Sequence, residues 1–184
     1  MNLKEERLSS TLIYDGRIIK LRNDKIKLPD GNTAYREYVR HPGGICVLPL
    51  TDKGEVMLVR QYRYPYGEEV LEIPAGKRDS ADEDTLEGGK RELKEELGVE
   101  AENFLFLGRF YPTPGYTDEV IYMYVAWGLK YGKANPDEDE FLEGEKIPLD
   151  RLIELIMSGE IPDGKTQAAA LKVKYLIDEG KIKL

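Results

Sequence analysis

The stretch "KRELKEELGV", residues 90–99, decides the reading of this chain. In a helix, Glu92 and Glu96 stand at i and i+4 with Glu95 one step round from Glu96, so three carboxylates crowd one side. Like charges at that spacing cost an isolated helix roughly 0.2–0.5 kcal/mol per pair. A helix that served solubility alone would set lysines opposite them. Arg91 forms ordinary i,i+4 pairs with Glu87 and Glu95, so for an arbitrary helix a solvated charged face is the better reading, and only the sequence on either side overturns it. Hard cations such as Mg²⁺ or Mn²⁺ take oxygen ligands, a need that three carboxylates on one face answer.

Working outward, the spacing predicts a helix from about Thr85 to Leu97, stopped by Gly98 where a left-handed residue is wanted. Gly88 and Gly89 inside it cost about 1 kcal/mol each relative to Ala and indicate a close backbone contact. Before the helix lie three strand patterns, "ICVLPL", "EVMLVRQYRY" and "EVLEIP", then a loop, "AGKRDSADED". After it come "NFLFLGRFY" and "EVIYMYVAWGL", an acidic loop "NPDEDEFLEGE", a strand-like "KIPL", and helices from about Asp150 to Met157 and Thr166 to Asp178. This is an α/β pattern with a mixed sheet and few helices. Residues 1–41 read instead as short antiparallel strands turning at Asp15-Gly16 and at Pro29-Asp30-Gly31-Asn32. Strands that short have little core of their own and are expected to pack on the main domain, residues 42–184, or on another subunit.

The 184 residues, 41% hydrophobic, suit one main domain. The only cysteine, Cys46, sits in an apolar run and reads as core, so a reducing compartment is expected. The charged N-terminus and the lack of a long apolar run point to the cytoplasm and away from membranes. A net charge of −8 argues against nucleic acid as a partner, and any phosphate must be met by local arginines or a metal ion. The single histidine, His41, leaves acid-base work to carboxylates, and zinc binding by cysteines is excluded by count. "GEIPDGKT", residues 159–166, satisfies the phosphate-loop expression, which would make the chain an ATPase. It follows a helical pattern and not a strand, and Pro162 removes an amide, so it reads as a helix-helix connection with Thr166 as the cap.

Reading backwards from the opening stretch gives Gly76, six residues, Glu83, seven residues, then Arg91-Glu92-Leu93-Lys94-Glu95-Glu96-Leu97-Gly98-Val99. This resembles the Nudix box, G-x5-E-x7-R-E-U-x-E-E-x-G-U with U apolar, departing from it by one extra residue in the loop "KRDSAD". "LEIPAGK" before the helix, "YPTPGYTDE" after it and "DEDEF" further on are similar to the ADP-ribose pyrophosphatase branch, from about Thr33 onward.

The resemblance implies a Nudix fold, a mixed sheet sandwiched between helices, with a small N-terminal antiparallel extension that forms a homodimer. It implies metal-dependent hydrolysis of ADP-ribose, a small nucleotide sugar, to AMP and ribose 5-phosphate. The cofactor would be Mg²⁺, with Mn²⁺ or another divalent cation as the alternative. Glu92 and Glu96, with Glu95 and the Ala75 carbonyl, would hold the metal; Glu72 and Glu83 are secondary candidates, and Arg91 would orient the carboxylates. The general base would be a glutamate of the acidic loop, Glu140 ahead of Glu138 and Glu143. Arg36, Arg40 and Arg63 would meet phosphate or ribose, with Pro114 at the substrate, and Tyr35, Tyr38 or Tyr62 would stack on adenine. The rival readings are another nucleoside diphosphate sugar, such as a GDP-hexose, and a non-catalytic nucleotide-binding module.

Overall fold

A computed structural model describes residues 2–80, 82–136 and 140–183. It divides into two units, residues 1–43 with 111–120, and residues 44–110 with 121–184.

The first unit is an antiparallel sheet of β1 (Glu6–Asp15), β2 (Lys20–Lys27) and β3 (Thr33–Arg40), in the order β1-β2-β3. Its second turn is built as the sequence suggests. Gly31 takes φ 90°, the Gly31 amide donates to the Leu28 carbonyl at 2.9 Å, and Asp30 accepts from the Asn32 amide at 3.0 Å. The unit also takes in a loop from the other half of the sequence: the Val39 amide donates to the Tyr116 carbonyl and the Asp118 amide to the Val39 carbonyl. Every residue of β1 is exposed, Leu8, Leu12, Ile13 and Tyr14 included.

The second unit holds two sheets. One is mixed, in the order β7-β4-β9-β8, with β4 (Gly44–Pro49) parallel to β9 (Ile121–Tyr131) and antiparallel to β7 (Ala75–Lys77), and with β8 (Val99–Phe110) at its far edge. The other is antiparallel, β10 (Glu143–Pro148), β5 (Glu55–Arg63) and β6 (Glu68–Glu72). Three helices accompany them: α1 (Thr85–Leu97), α2 (Leu149–Ser158) and α3 (Gly164–Asp178). The pleat of the central strands sorts their side chains into two cores. Ile45, Val47, Tyr124 and Ala126 pack with Leu93 of α1. Cys46, Leu48, Met123 and Val125 pack with Leu152 of α2 and Ala169 and Val173 of α3. The mixed sheet is thus covered on both faces by helices, as the pattern of alternating elements requires.

Two local readings are corrected. "AGK", expected as loop, forms β7, because Ala75 and Gly76 pair with Cys46 and Ile45 of β4. The cap of α3 is Asp163 and not Thr166: the Asp163 carboxylate accepts from the Thr166 amide at 2.9 Å, the usual reach from a cap to the third helical residue. Thr166 is fully buried one turn inside, where its hydroxyl donates to Asp163 and accepts from the Ile73 amide at 2.9 Å. The phosphate-loop look-alike is a helix-helix connection, with Gly159 ending α2 at φ 85°.

Candidate active site

Helix α1 is fixed at both ends before its glutamates come into play. Asp84 caps it by accepting from the Leu86 and Glu87 amides, and Gly98 closes it at φ 64°. Gly88 and Gly89 press the helix onto β4: a Cβ at residue 88 would stand 2.3 Å from Ile45 Cδ1, and one at residue 89 would stand 3.1 Å from Val47 Cγ2. That approach turns Glu92 and Glu96 inward, and each is buried.

The glutamates have a prepared place. A Cβ at residue 76 would lie 1.9 Å from Glu92 Cδ, so only glycine there leaves room for the Glu92 carboxylate. Arg91 gathers the surrounding acids. Its Nη1 stands 2.8 Å from Glu92 and 3.0 Å from Glu95, its Nη2 3.3 Å from Glu83, and its Nε 3.6 Å from Asp79. Burial works against the charge of Arg91, but Glu92 and Asp79 lead the carboxylates that hold its pKa above the ordinary range. Glu83 also accepts from the Asp79 amide at 2.8 Å, so it closes the inserted loop and lies outside the inner pair.

Glu96 is held differently. One of its oxygens is buried without a hydrogen-bond partner, while the Ala75 backbone donates to its carboxylate. Burial, then the charges of Glu92 and Glu140, push its pKa up to about 8. Burial also pushes Glu92 up, to about 7, with Arg91 opposing. Two desolvated acids, one with an orphan oxygen, cost several kcal/mol if both ionise alone. A divalent cation removes that cost. The chemistry of the side chains fits one: two buried carboxylates and the half-exposed Glu95, all oxygen ligands. Among the described residues no group of three or more His, Cys, Asp or Glu is arranged as a finished cage, and Glu95 pairs with Arg91 at 3.0 Å.

Glu140 joins this cluster across the acidic loop, near enough to raise both inner glutamates. The loop leaves β9 pinned to the end of α1, with the Gly132 amide on the Gly98 carbonyl and the Asn135 amide on the Glu95 carbonyl. Glu138 lies outside the described residues, and Glu143 begins β10, paired with Arg60 in the ladder. Arg63 stands at the edge of the same region, with Glu96 among the charges it feels.

Arg36, Arg40 and Pro114 belong to the first unit. Arg36 pairs with Glu5 and Arg40 with Asp118 at 2.7 Å, while Pro114 is exposed. Tyr35 and Tyr62 are exposed and Tyr38 is half-buried. Glu72, a secondary ligand candidate, is instead held between two cations, Arg63 and Lys165. Sequence reasoning missed the group around Glu72. Its only signal was the acid-plus-Gly-Lys-Thr run at residues 163–166, set aside as a failed phosphate loop.

A mixed sheet between helices, with the glutamate helix pressed onto β4, brings buried carboxylates together where a divalent cation would be held. Residues 40–168 match the NUDIX domain, and residues 5–39 match the nucleoside diphosphate sugar hydrolase N-terminal domain. The chain belongs to the Nudix family, whose hydrolases depend on a divalent metal ion. It is 41% identical over 94% of its length to a methanol dehydrogenase activator of Bacillus methanolicus, covering 92% of that protein. It is 36% identical over 95% of its length to an ADP-ribose pyrophosphatase of Bacillus subtilis (strain 168), covering 94% of it. The crystal structure of an ADP compounds hydrolase shares the fold with a TM-score of 0.85 at 22% identity, over 99% of this chain and 100% of that one. Among the described residues no helix is long and apolar enough to cross a membrane.

Proposed function

We propose that this hydrolase cleaves the diphosphate bond of ADP-ribose to AMP and ribose 5-phosphate, with Mg²⁺ held by Glu92, Glu95, Glu96 and the Ala75 carbonyl. The observation that carries the reading is the buried Glu92–Glu96 pair with its unpartnered oxygen. The ADP-ribose pyrophosphatase relative, alike over nearly the whole chain, supports the substrate.

A divalent cation held by these glutamates would supply positive charge to the diphosphate and would lower the pKa of the attacking water. Glu140 takes the proton of that water as its oxygen forms a bond to phosphorus and the bridging P–O bond breaks. Arg91 keeps Glu92 and Glu95 oriented from outside the substrate. Arg63 offers a planar guanidinium to a phosphate, which it matches in two-pronged geometry. The first unit supplies Arg36, Arg40 and Pro114 to substrate within a homodimer; the exposed apolar residues of β1 support pairing of two copies. The acidic surface, net −8, fits a small-molecule enzyme of the cytoplasm better than a nucleic-acid binder.

A second reading is favoured by the N-terminal match: another nucleoside diphosphate sugar. The chemistry at the glutamates is blind to what hangs on the diphosphate. The test is product analysis with ADP-ribose, other nucleotide sugars, dinucleoside polyphosphates and ATP, each with Mg²⁺ and with chelator. AMP and ribose 5-phosphate formed from ADP-ribose alone, and only with metal, is the expected result. Faster turnover of a different sugar moves the substrate, and no metal-dependent product from any leaves a binding module.

A further inference from the structure

The stretch that imitates a phosphate loop has a different task. Lys165, in the first turn of α3, is buried, and its ammonium pairs with Glu72 and, at 2.9 Å, with Asp163. Glu72 is buried as well, and its other oxygen accepts from Arg63 Nε at 2.7 Å. Asp163, Lys165, Glu72 and Arg63 thus form one chain of alternating charge, and all four line a single cavity of about 240 Å³. Neither buried ion could stand alone: a desolvated lysine needs its carboxylates, and Glu72 needs both cations.

The arrangement fixes direction at the exposed end. Arg63 is about a third exposed, 37%, and is held by Glu72 through Nε, a bond that does not draw on the paired Nη groups used against phosphate. The backbone beside Glu72 is held too. The Ile73 amide donates to Thr166 Oγ1 at 2.9 Å, and the Pro74 carbonyl accepts from the Val47 amide at 3.0 Å. Residue 75 follows directly.

We infer that Lys165 is a positioning residue, which acts through Glu72 to hold Arg63 in the direction needed for a substrate phosphate. The inference rests on the hydrolase reading above, with Arg63 as a phosphate contact. Lys165 itself touches no reacting atom.

The test is a set of variants assayed with ADP-ribose. Wild-type turnover comes first; its absence overturns the hydrolase reading and not this one specifically. Lys165→Met should raise KM about 10- to 100-fold with a smaller change in kcat, the usual loss when a supporting partner is removed. The same substitution in an Arg63→Ala background should then add almost nothing. Because Lys165→Met leaves Glu72 with one cation and can unfold the chain, Glu72→Met/Lys165→Met is the second arm. That variant removes both buried charges, so it should keep the wild-type melting temperature and still show the raised KM. Full additivity with Arg63→Ala, or a charge-free pair that folds and binds substrate normally, overturns the proposal.

Discussion

Two regions of this chain invert the usual rule of burial, and they do so in opposite ways. At α1 two glutamates lie inside, one with an unpartnered oxygen. At β1 Leu8, Leu12, Ile13 and Tyr14 lie outside on a strand with no buried residue. Buried charge and exposed hydrophobe each cost free energy in an isolated chain. The difference between them lies in the partner that would relieve the cost: a divalent cation in the first case and, on the proposed reading, a second copy of the chain in the second.

The comparison breaks most sharply at Glu96. Glu96→Gln should lower kcat by on the order of 10³-fold while the protein still folds, because a neutral amide meets the burial but not the cation; near-normal turnover with Mg²⁺ removes α1 from the chemistry. Glu140→Gln should cost about 10²- to 10⁴-fold in kcat and leave metal affinity unchanged, as expected of a base and not a ligand; the same loss from Glu143→Gln alone would move the base. Gly76→Ala probes the room kept for Glu92. The added Cβ displaces the flexible end of that side chain, so metal affinity by calorimetry should fall about 10- to 100-fold with little loss of stability. At β1, Ile13→Asp should shift the sedimentation profile from dimer to monomer without unfolding the second unit; an unchanged mass leaves the apolar strand unexplained.

The smallest effect concerns pH. A carboxyl whose folded pKa is raised contributes stability that is full below its ordinary value, 4.5, and is lost as pH rises through about 8 for Glu96 and about 7 for Glu92. In chelator the melting temperature should therefore fall between pH 5 and pH 8. Mg²⁺, which needs the ionised pair, should raise it more at pH 8 than at pH 5. With about 1 kcal/mol worth roughly 2–4 °C in a chain of this size, the change is several degrees, and Glu96→Gln should flatten it.

How much of this was legible in the sequence differs between the same two regions. Helix α1 was readable from its start near Thr85 to its stop at Gly98, because cap, glycine and period agree locally. The close approach implied by Gly88 and Gly89 is there against Ile45 and Val47. What escaped were long-range partnerships. Lys165 and Glu72 are 93 residues apart, and a buried ion pair leaves no periodic trace in either segment. The cap of α3 was misplaced by three residues, from Asp163 to Thr166, because both residue types cap well and only the geometry separates them. β7 escaped because three residues are too few to show alternation. In the first unit the turns were readable, but the loop that joins it, residues 111–120, comes from a distant part of the chain.

The most direct test of the central claim is a calorimetric titration of Mg²⁺, with Mn²⁺ as a second probe, into the wild-type protein and Glu96→Gln at pH 8 without substrate. The account predicts saturable binding to the wild type and a loss of about 10-fold or more in the variant. Equal affinity in the two proteins would contradict it.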